Sequence, residues 1–233
     1  MSELRPPRLL ASAFEGLTAL EFARLSFLWP ALGRLPRGDG GPVLLFPGFS
    51  ADDASTLALR LVLRRLGHDA RGWGLGRNVG DVPSRIEVVA ELVEAEARRC
   101  GRPVALVGWS LGGYLAREAA RERPEAVRRV VTLGSPVAGG PKYTRLAAFY
   151  RARGADLDGI EAEVRAREAV PLRVPVTALY SRLDGIVSWR ACVDETEALT
   201  ENLEVRTTHF GFGFSTDVFR IVAERLAPSS AAP

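Results

Sequence analysis

The sequence predicts an α/β fold in which a mostly parallel sheet is flanked by helices, and three observations lead to it. From residue 43 onward, short apolar runs of strand length alternate with longer stretches of helical periodicity, the order that parallel strands joined by crossover helices require. The 233 residues are 47% hydrophobic and 25% charged, so the chain can bury a core without disulfides or metal. Gly and Pro gather where the periodicity changes, as in PRGDGGP at 36–42. One domain spanning residues 1–233 is expected, with no internal repeat.

The elements follow in order. Residues 9–35 are rich in Leu, Phe and Ala, but Glu15, Glu21 and Arg24 interrupt them, which excludes an integral membrane span. Leu10, Phe14, Leu17 and Glu21 fall at helical spacing, as do Leu25, Leu28 and Leu32. Residues 1–40 are therefore expected to form a helical extension packed on the domain. A membrane-surface helix is the alternative, and a polar face with few cations argues against it. Residues 43–46 read as a strand before Pro47-Gly48. Residues 52–66 read as a helix capped by Asp52 or Asp53, with Leu57, Leu61 and Val62 on one face. Residues 69–73 form the next expected strand, before the glycine-rich GLGRNVG. Residues 84–100 carry the clearest helix signal: Ser84 as cap, Glu87 completing a capping box, and Ile86, Val89, Ala90 and Val93 recurring helically. A strand at 104–107, a helix at 111–123 ended by Pro124, and strands at 127–133 and 174–180 follow. A short strand at 203–206 and a helix at 217–226 close the fold. The tail PSSAAP is low in complexity and expected to fray.

Charge and cysteine content exclude several functions. The net charge is only +3, nearly all the cations are Arg, and Lys142 is the only lysine. Arginines such as Arg60, Arg64, Arg98, Arg117 and Arg121 are scattered along the chain, often near Glu or Asp as at Glu118 and Glu122, which reads as solvated helix faces and not as a nucleic-acid track. Cys100 and Cys192 match neither a zinc site nor a redox motif and are expected as free thiols. No secretion signal is visible, so a cytoplasmic location is expected, with peripheral membrane contact left open.

The chemistry concentrates at Gly108-Trp109-Ser110-Leu111-Gly112, a G-x-S-x-G between an expected strand and an expected helix. In a chain of 23 glycines the motif alone is a weak signal, and its strand–turn–helix setting gives it weight. A serine on such an elbow holds its hydroxyl above the sheet edge, while glycines two residues either side avoid collision with neighbouring elements. The following helix directs its first N–H groups at the site, where a developing oxyanion would sit.

A serine nucleophile needs a base, and the chain has only two histidines. His68, in Leu66-Gly67-His68-Asp69, reads as a surface turn residue. His209 stands after the last strand and before the closing helix, where the chain order Ser, acid, His puts the base. Asp184, followed by Gly185 on the loop after the 174–180 strand, is the expected acid. Its competitors are Asp194 and Glu204, with Asp156, Asp158 and Asp217 placed less well in the chain.

With these residues in view the chain resembles the α/β-hydrolase superfamily, and within it small bacterial esterases and lipases. The likeness runs from Val43 to Leu226 and is carried by FPGF (46–49), GWSLGG (108–113), SRLDGIV (181–187) and THFGFG (208–213). In such lipases a strand ends in His-Gly, and the next residue donates a backbone N–H to the oxyanion. Here Pro47 replaces that histidine while Gly48 and Phe49 match, so the resemblance implies an oxyanion hole made by the N–H groups of Phe49 and Leu111. Residues 73–78 look like the loop after the next strand in that group; a dinucleotide site there is excluded because the third glycine is displaced to Gly80. The resemblance also implies a cap or lid at 137–173, where strand alternation pauses. In it Tyr143, Leu146, Ala147 and Tyr150 share a helical face, either an acyl-binding wall or a helix packed on the core.

The expectation is a serine hydrolase acting on a small-molecule carboxylic ester, with Ser110, His209 and Asp184 as its catalytic set and no metal or cofactor. Acyl transfer to another acceptor, thioester cleavage, and a slow-turnover ligand-binding protein are the alternatives.

Overall fold

The computed structural model describes residues 4–7 and 13–228. Leu10 of the N-terminal stripe and residues 229–233 of the tail lie outside the described residues. Six strands form one sheet in the order β2-β1-β3-β4-β5-β6: β1 (Pro42–Phe46), β2 (Asp69–Gly72), β3 (Val104–Trp109), β4 (Val127–Leu133), β5 (Val176–Tyr180) and β6 (Thr200–Glu204). Every pairing is parallel. Seven α-helices flank it among the described residues: α1 (Thr18–Leu28), α2 (Leu57–Arg65), α3 (Val82–Cys100), α4 (Leu111–Glu122), α5 (Ala147–Ala152), α6 (Leu157–Glu168) and α7 (Thr216–Leu226).

The apolar runs are continuous because both faces of the sheet are covered. Alternate residues of one strand serve opposite cores. Val43 and Leu45 of β1 pack with Leu25 of α1, Leu63 of α2 and Phe219 of α7, whereas Leu44 and Phe46 pack with Val93 of α3 and Leu115 of α4. After β1 the chain moves outward to β2, then crosses back to place β3 on the other side of β1. The crevice at the carboxyl ends of β1 and β3 is thus a topological switch point, where open α/β sheets bind their ligands.

Several local expectations shift for physical reasons. The helix at 52–66 opens as a 3-10 turn at Asp53–Thr56, with the Asp52 side chain accepting from the Ala54 N–H. Its buried face is Leu59, Val62, Leu63 and Leu66; Leu57 and Leu61 are exposed. Helix α3 begins at Val82, and the Ser84 hydroxyl bonds Asp81 instead of capping, because Pro83 already fits the first turn. Strand β6 starts three residues earlier than expected and ends two earlier. Phe14 and Leu17 are exposed, and the N-terminal extension docks instead through Leu25, Trp29 and Leu32.

Not all arginines lie on solvated faces. The Arg117 side chain, 2% exposed, pairs with the Asp194 carboxylate, 4% exposed, at 2.5 Å. Arg121 bridges Glu118 and Glu197, and Arg167 of α6 also reaches Glu118. This buried ionic network ties α4, which starts at the elbow, to the connection between β5 and β6. Both cysteines are free thiols.

Arg117→Met should destabilise the fold by about 3–5 kcal/mol, because it strands a buried carboxylate. Urea denaturation reads this as a lower midpoint. The double replacement Arg117→Met with Asp194→Leu should recover much of the loss, since no charge then stays buried alone.

Candidate active site

Ser110 occupies the turn between β3 and α4 at φ 53° and ψ −123°, a conformation that side-chain-bearing residues rarely adopt. The surroundings hold it there. Its N–H donates to the Leu133 carbonyl at 2.8 Å, which anchors the elbow to β4. A Cβ at Gly108 would overlap Gly113, and one at Gly112 would overlap the Phe46 carbonyl, so the first turn of α4 lies directly on the end of β1. The motif glycines are required by close approach, as the sequence suggests.

The loop after β1 runs past the serine. A Cβ at Gly48 would sit 3.3 Å from the Ser110 Cβ. Buried Asn78 fastens the loop at Pro47: its Nδ2 donates to the Pro47 carbonyl at 2.9 Å. The Asn78 backbone clamps the same loop, accepting from the Ser50 N–H and donating to the Ala51 carbonyl. Among the described residues, the N–H groups of Phe49 and Leu111 donate to no protein acceptor.

Asp184 and His209 meet at the ends of β5 and β6. Asp184 Oδ2 lies 2.7 Å from His209 Nδ1, while Oδ1 accepts the N–H groups of Ile186 and Val187 at 2.9 and 2.7 Å. The acid loop thereby fixes its own carboxylate. The buried Ser181 hydroxyl binds the two loops together, donating to the Thr207 carbonyl at 2.5 Å and accepting from the Leu183 N–H. Trp109 links this pair to the elbow: its indole N–H donates to the His209 carbonyl at 3.1 Å. Among the described residues no hydrogen bond joins Ser110 to the imidazole; such contacts tighten when substrate binds. The competing carboxylates are engaged elsewhere. Asp194 pairs with Arg117, Glu204 with Arg182, Asp158 with Lys142 and Asp217 with Arg24, while Asp156 caps α6.

The two imidazoles sit in opposite electrostatic settings. Burial alone would lower His209, but the Asp184 charge and hydrogen bond, joined by the charge of Glu15, outweigh it and raise its pKa above the ordinary 6.5. His68 is not a surface residue. It is 4% exposed, neither ring nitrogen has a partner among the described residues, and burial followed by the Arg128 charge pushes its pKa below 6.5.

Ser110 opens onto a cavity of about 650 Å³ whose walls are mostly apolar, including Phe49, Val82, Ile86, Leu146, Tyr150, Ile160, Val164 and Val187. Leu146 and Tyr150 line it, and Tyr150 packs on Phe49 with ring centroids 5.7 Å apart. Tyr143 does not line it. It belongs to the 3-10 turn Gly140–Tyr143, and its hydroxyl donates to Glu161 at 2.9 Å. Asp69, Glu96 and Cys100 bring possible metal-ligating atoms within 4.8 Å of one another, but at the amino end of the sheet and with Arg71 and Arg99 on the carboxylates.

Sequence reasoning missed Asn78, Ser181 and Glu15. Glu15 left one trace, as one of two acids in an apolar stretch; the other two carried no local signal.

The profile of the alpha/beta hydrolase family matches residues 43–221, more than three quarters of the chain. The chain belongs to that family. Among curated proteins it is similar to a pimeloyl-[acyl-carrier protein] methyl ester esterase of Sodalis glossinidius, 32% identical over 165 residues. That match takes in 70% of this chain and 56% of the relative, so the chain spans little more than half of its length. It is also similar, at 34% identity over 139 residues, to 6% of the polyketide synthase ThaQ of Burkholderia thailandensis, the match covering 55% of this chain. Its fold is that of the Bacillus licheniformis lipase BlEst2 (TM-score 0.64, 16% identity, 83% of this chain and 94% of that one). A Paleococcus ferrophilus monoacylglycerol lipase shares it too (TM-score 0.62, 16% identity, 82% and 96%). No helix among the described residues is long and apolar enough to cross a membrane.

The opposed settings of the two histidines give an observable. In a pH titration of the ring ¹⁵N resonances, one midpoint should fall above 6.5 and the other below it. Asp184→Asn should bring the upper midpoint down and leave the lower one in place. The stability signs are opposite as well. The raised pKa of His209 stabilises the fold below pH 6.5, an effect lost as pH rises through its folded value. The lowered pKa of His68 costs stability as pH falls below 6.5. A His209 midpoint below 6.5 in the unaltered protein would contradict this electrostatic account.

Proposed function

We propose that this hydrolase cleaves carboxylic esters with an apolar acyl chain through a covalent acyl-enzyme. The observation that carries the reading is Ser110, held strained at the switch point and open to a largely apolar cavity. Its volume lies in the range of small-molecule sites.

In the proposed sequence, Ser110 Oγ attacks the ester carbonyl while His209 Nε2 takes the hydroxyl proton. Because Nδ1–H donates to Asp184, the free lone pair of the neutral ring sits on Nε2, the nitrogen the reaction needs. The negative oxygen of the tetrahedral intermediate takes hydrogen bonds from the N–H groups of Phe49 and Leu111. Collapse expels the alcohol, which receives the proton from His209. Water then attacks the acyl-enzyme, giving a proton to the same nitrogen; collapse breaks the bond between the acyl carbon and Ser110 Oγ, Oγ takes that proton from His209, and the acid leaves. Asp184 holds the tautomer and offsets the imidazolium charge.

The segment 137–173 acts as the cap. Its α5 supplies Tyr150 and its preceding residue Leu146 to the acyl wall, and α6 supplies Ile160 and Val164. A thioester of the same acyl group is the second reading, favoured by the similarity to part of a polyketide synthase. Comparing turnover of an oxygen ester and a thioester with one acyl chain separates the two.

Ser110→Ala should lower kcat by on the order of 10⁴-fold or more without unfolding the protein, and His209→Ala by a similar amount, because such residues act as a unit. A fluorophosphonate probe should label the unaltered protein and not Ser110→Ala. A folded Ser110→Ala protein with near-normal turnover would refute the mechanism, and an unlabelled parent would favour a ligand-binding role.

Each methylene buried against the wall should raise kcat/KM by about 4-fold, from roughly 0.8 kcal/mol per CH₂, until the cavity fills. Leu146→Ala with Tyr150→Ala should flatten this dependence across acetate, butyrate, octanoate and dodecanoate esters and spare acetate. Tyr143→Phe should leave the profile unchanged. An unaltered slope in the double variant would place the acyl site elsewhere.

A further inference from the structure

Glu15 lies in the 3-10 turn Phe14–Leu17 that precedes α1. Its Oε1 accepts the N–H of Gly185 at 2.8 Å and the N–H of His209 at 2.9 Å, and its Oε2 accepts the N–H of Phe210 at 3.0 Å. One carboxylate thus joins the residue after Asp184 to the backbone of His209 itself. A carboxylate suits the task, being acceptor-only with two oxygens able to take several bonds, each strengthened by its charge. Docking of the N-terminal extension does not depend on these bonds. Leu25 is in the core, the Thr18 and Thr208 hydroxyls lie 2.8 Å apart, and Arg24 pairs with Asp217.

We propose that Glu15 is a positioning residue for the reaction, clamping the acid loop to the base loop so that the Asp184–His209 pair keeps its register. The inference rests on the proposed role of His209. It assigns the N-terminal extension a part in the chemistry, since the clamp comes from neither strand that carries the pair.

The clamp also has an electrostatic side. The groups facing His209 are Asp184 from the β5 loop and Glu15 from the N-terminal turn. Glu21 of α1 lies against Gly211, two residues further on, and burial raises its pKa. The thiol of Cys192 stays neutral, its pKa pushed well up by burial and by Asp184. Trp109, Phe210 and Phe212 complete the surroundings without charge. Of these, Asp184 and Glu15 are the charges that favour the imidazolium.

Glu15→Gln keeps the shape and loses the charge and one acceptor. It should lower kcat by on the order of 10- to 100-fold through loop misplacement. KM should stay within about 2-fold, since no substrate contact is removed. The midpoint of the rise of kcat/KM with pH should move down, because a charge that favours imidazolium is gone. Ring ¹⁵N titration of the full chain should show the same downward move for His209, with His68 as an unmoved internal reference. Glu15→Asp, which keeps the charge on a shorter arm, should restore most of the midpoint and part of kcat. The proposal fails if Glu15→Gln keeps the parent kcat, or if its His209 midpoint does not move. It fails equally if the activity lost is matched by lost folded fraction in thermal melts. The titration needs no substrate, so it stands apart from the ester reading. That reading would fall if the parent neither cleaved esters nor took the fluorophosphonate, whatever Glu15 does to the ring.

Discussion

The start of α4 rests directly on the end of β1, and the rest of the site depends on that contact. Where Gly112 meets the Phe46 carbonyl there is no room for a Cβ, and the same holds where Gly108 meets Gly113. This closeness forces the sharp turn that leaves Ser110 at positive φ. A residue held in such a region costs about 1–3 kcal/mol, which the surrounding structure must over-determine. Here β3 lies between β1 and β4 with a core on each face, and the Leu133 carbonyl holds the Ser110 N–H. The same contact brings the loop after β1 alongside the serine, so one steric constraint positions both the proposed nucleophile and the proposed oxyanion donors.

The proposed acid and base are built separately, at the far side of the sheet. Strands β5 and β6 end in two loops whose polar groups are bonded to each other. Asp184 uses both oxygens, and Ser181 and Glu15 each reach both loops. A buried carboxylate left half-satisfied would be costly, so this saturation holds the pair in one orientation. Contact with the elbow then runs through the Trp109 indole. Behind both halves, the Arg117–Asp194 pair fixes α4 to the β5–β6 connection. The residue that competed in the sequence as a catalytic acid thereby serves the scaffold.

Errors in reading the chain have physical causes. Leu57 and Leu61 have helical spacing with Val62, yet the face that α2 turns to the core buries Leu59 and Leu63 beside Val62 and leaves Leu57 and Leu61 exposed. Ser84 and Glu87 fit a capping box, but the helix starts earlier, at Val82, and Glu87 is taken by Arg123, just past the end of α4. Tyr143 shares a helical stripe with Tyr150 only if the helix is continuous, and it breaks between them. His68 sits at a turn, where exposure is the ordinary outcome, but the turn is covered by the chain around Gly38, whose added Cβ would overlap the His68 ring. At Glu87 and His68 a local pattern was overridden by a neighbour distant in sequence.

By itself the sequence determined the order of strands and helices, the elbow at Ser110, and His209 as one of only two histidines available. These features are written in periods of a few residues or in counts, which need no knowledge of packing. Only the tertiary structure decided that Asp184 and not Asp194 meets the imidazole, that Asn78 holds the loop at Pro47, and that Glu15 reaches the site at all. Those are hydrogen bonds between groups 25, 31 and 170 or more residues apart. A carboxylate's spacing along the chain carries no record of which N–H it will face. That is settled when the strands stack, the loops at their ends converge, and each buried polar group must find a partner.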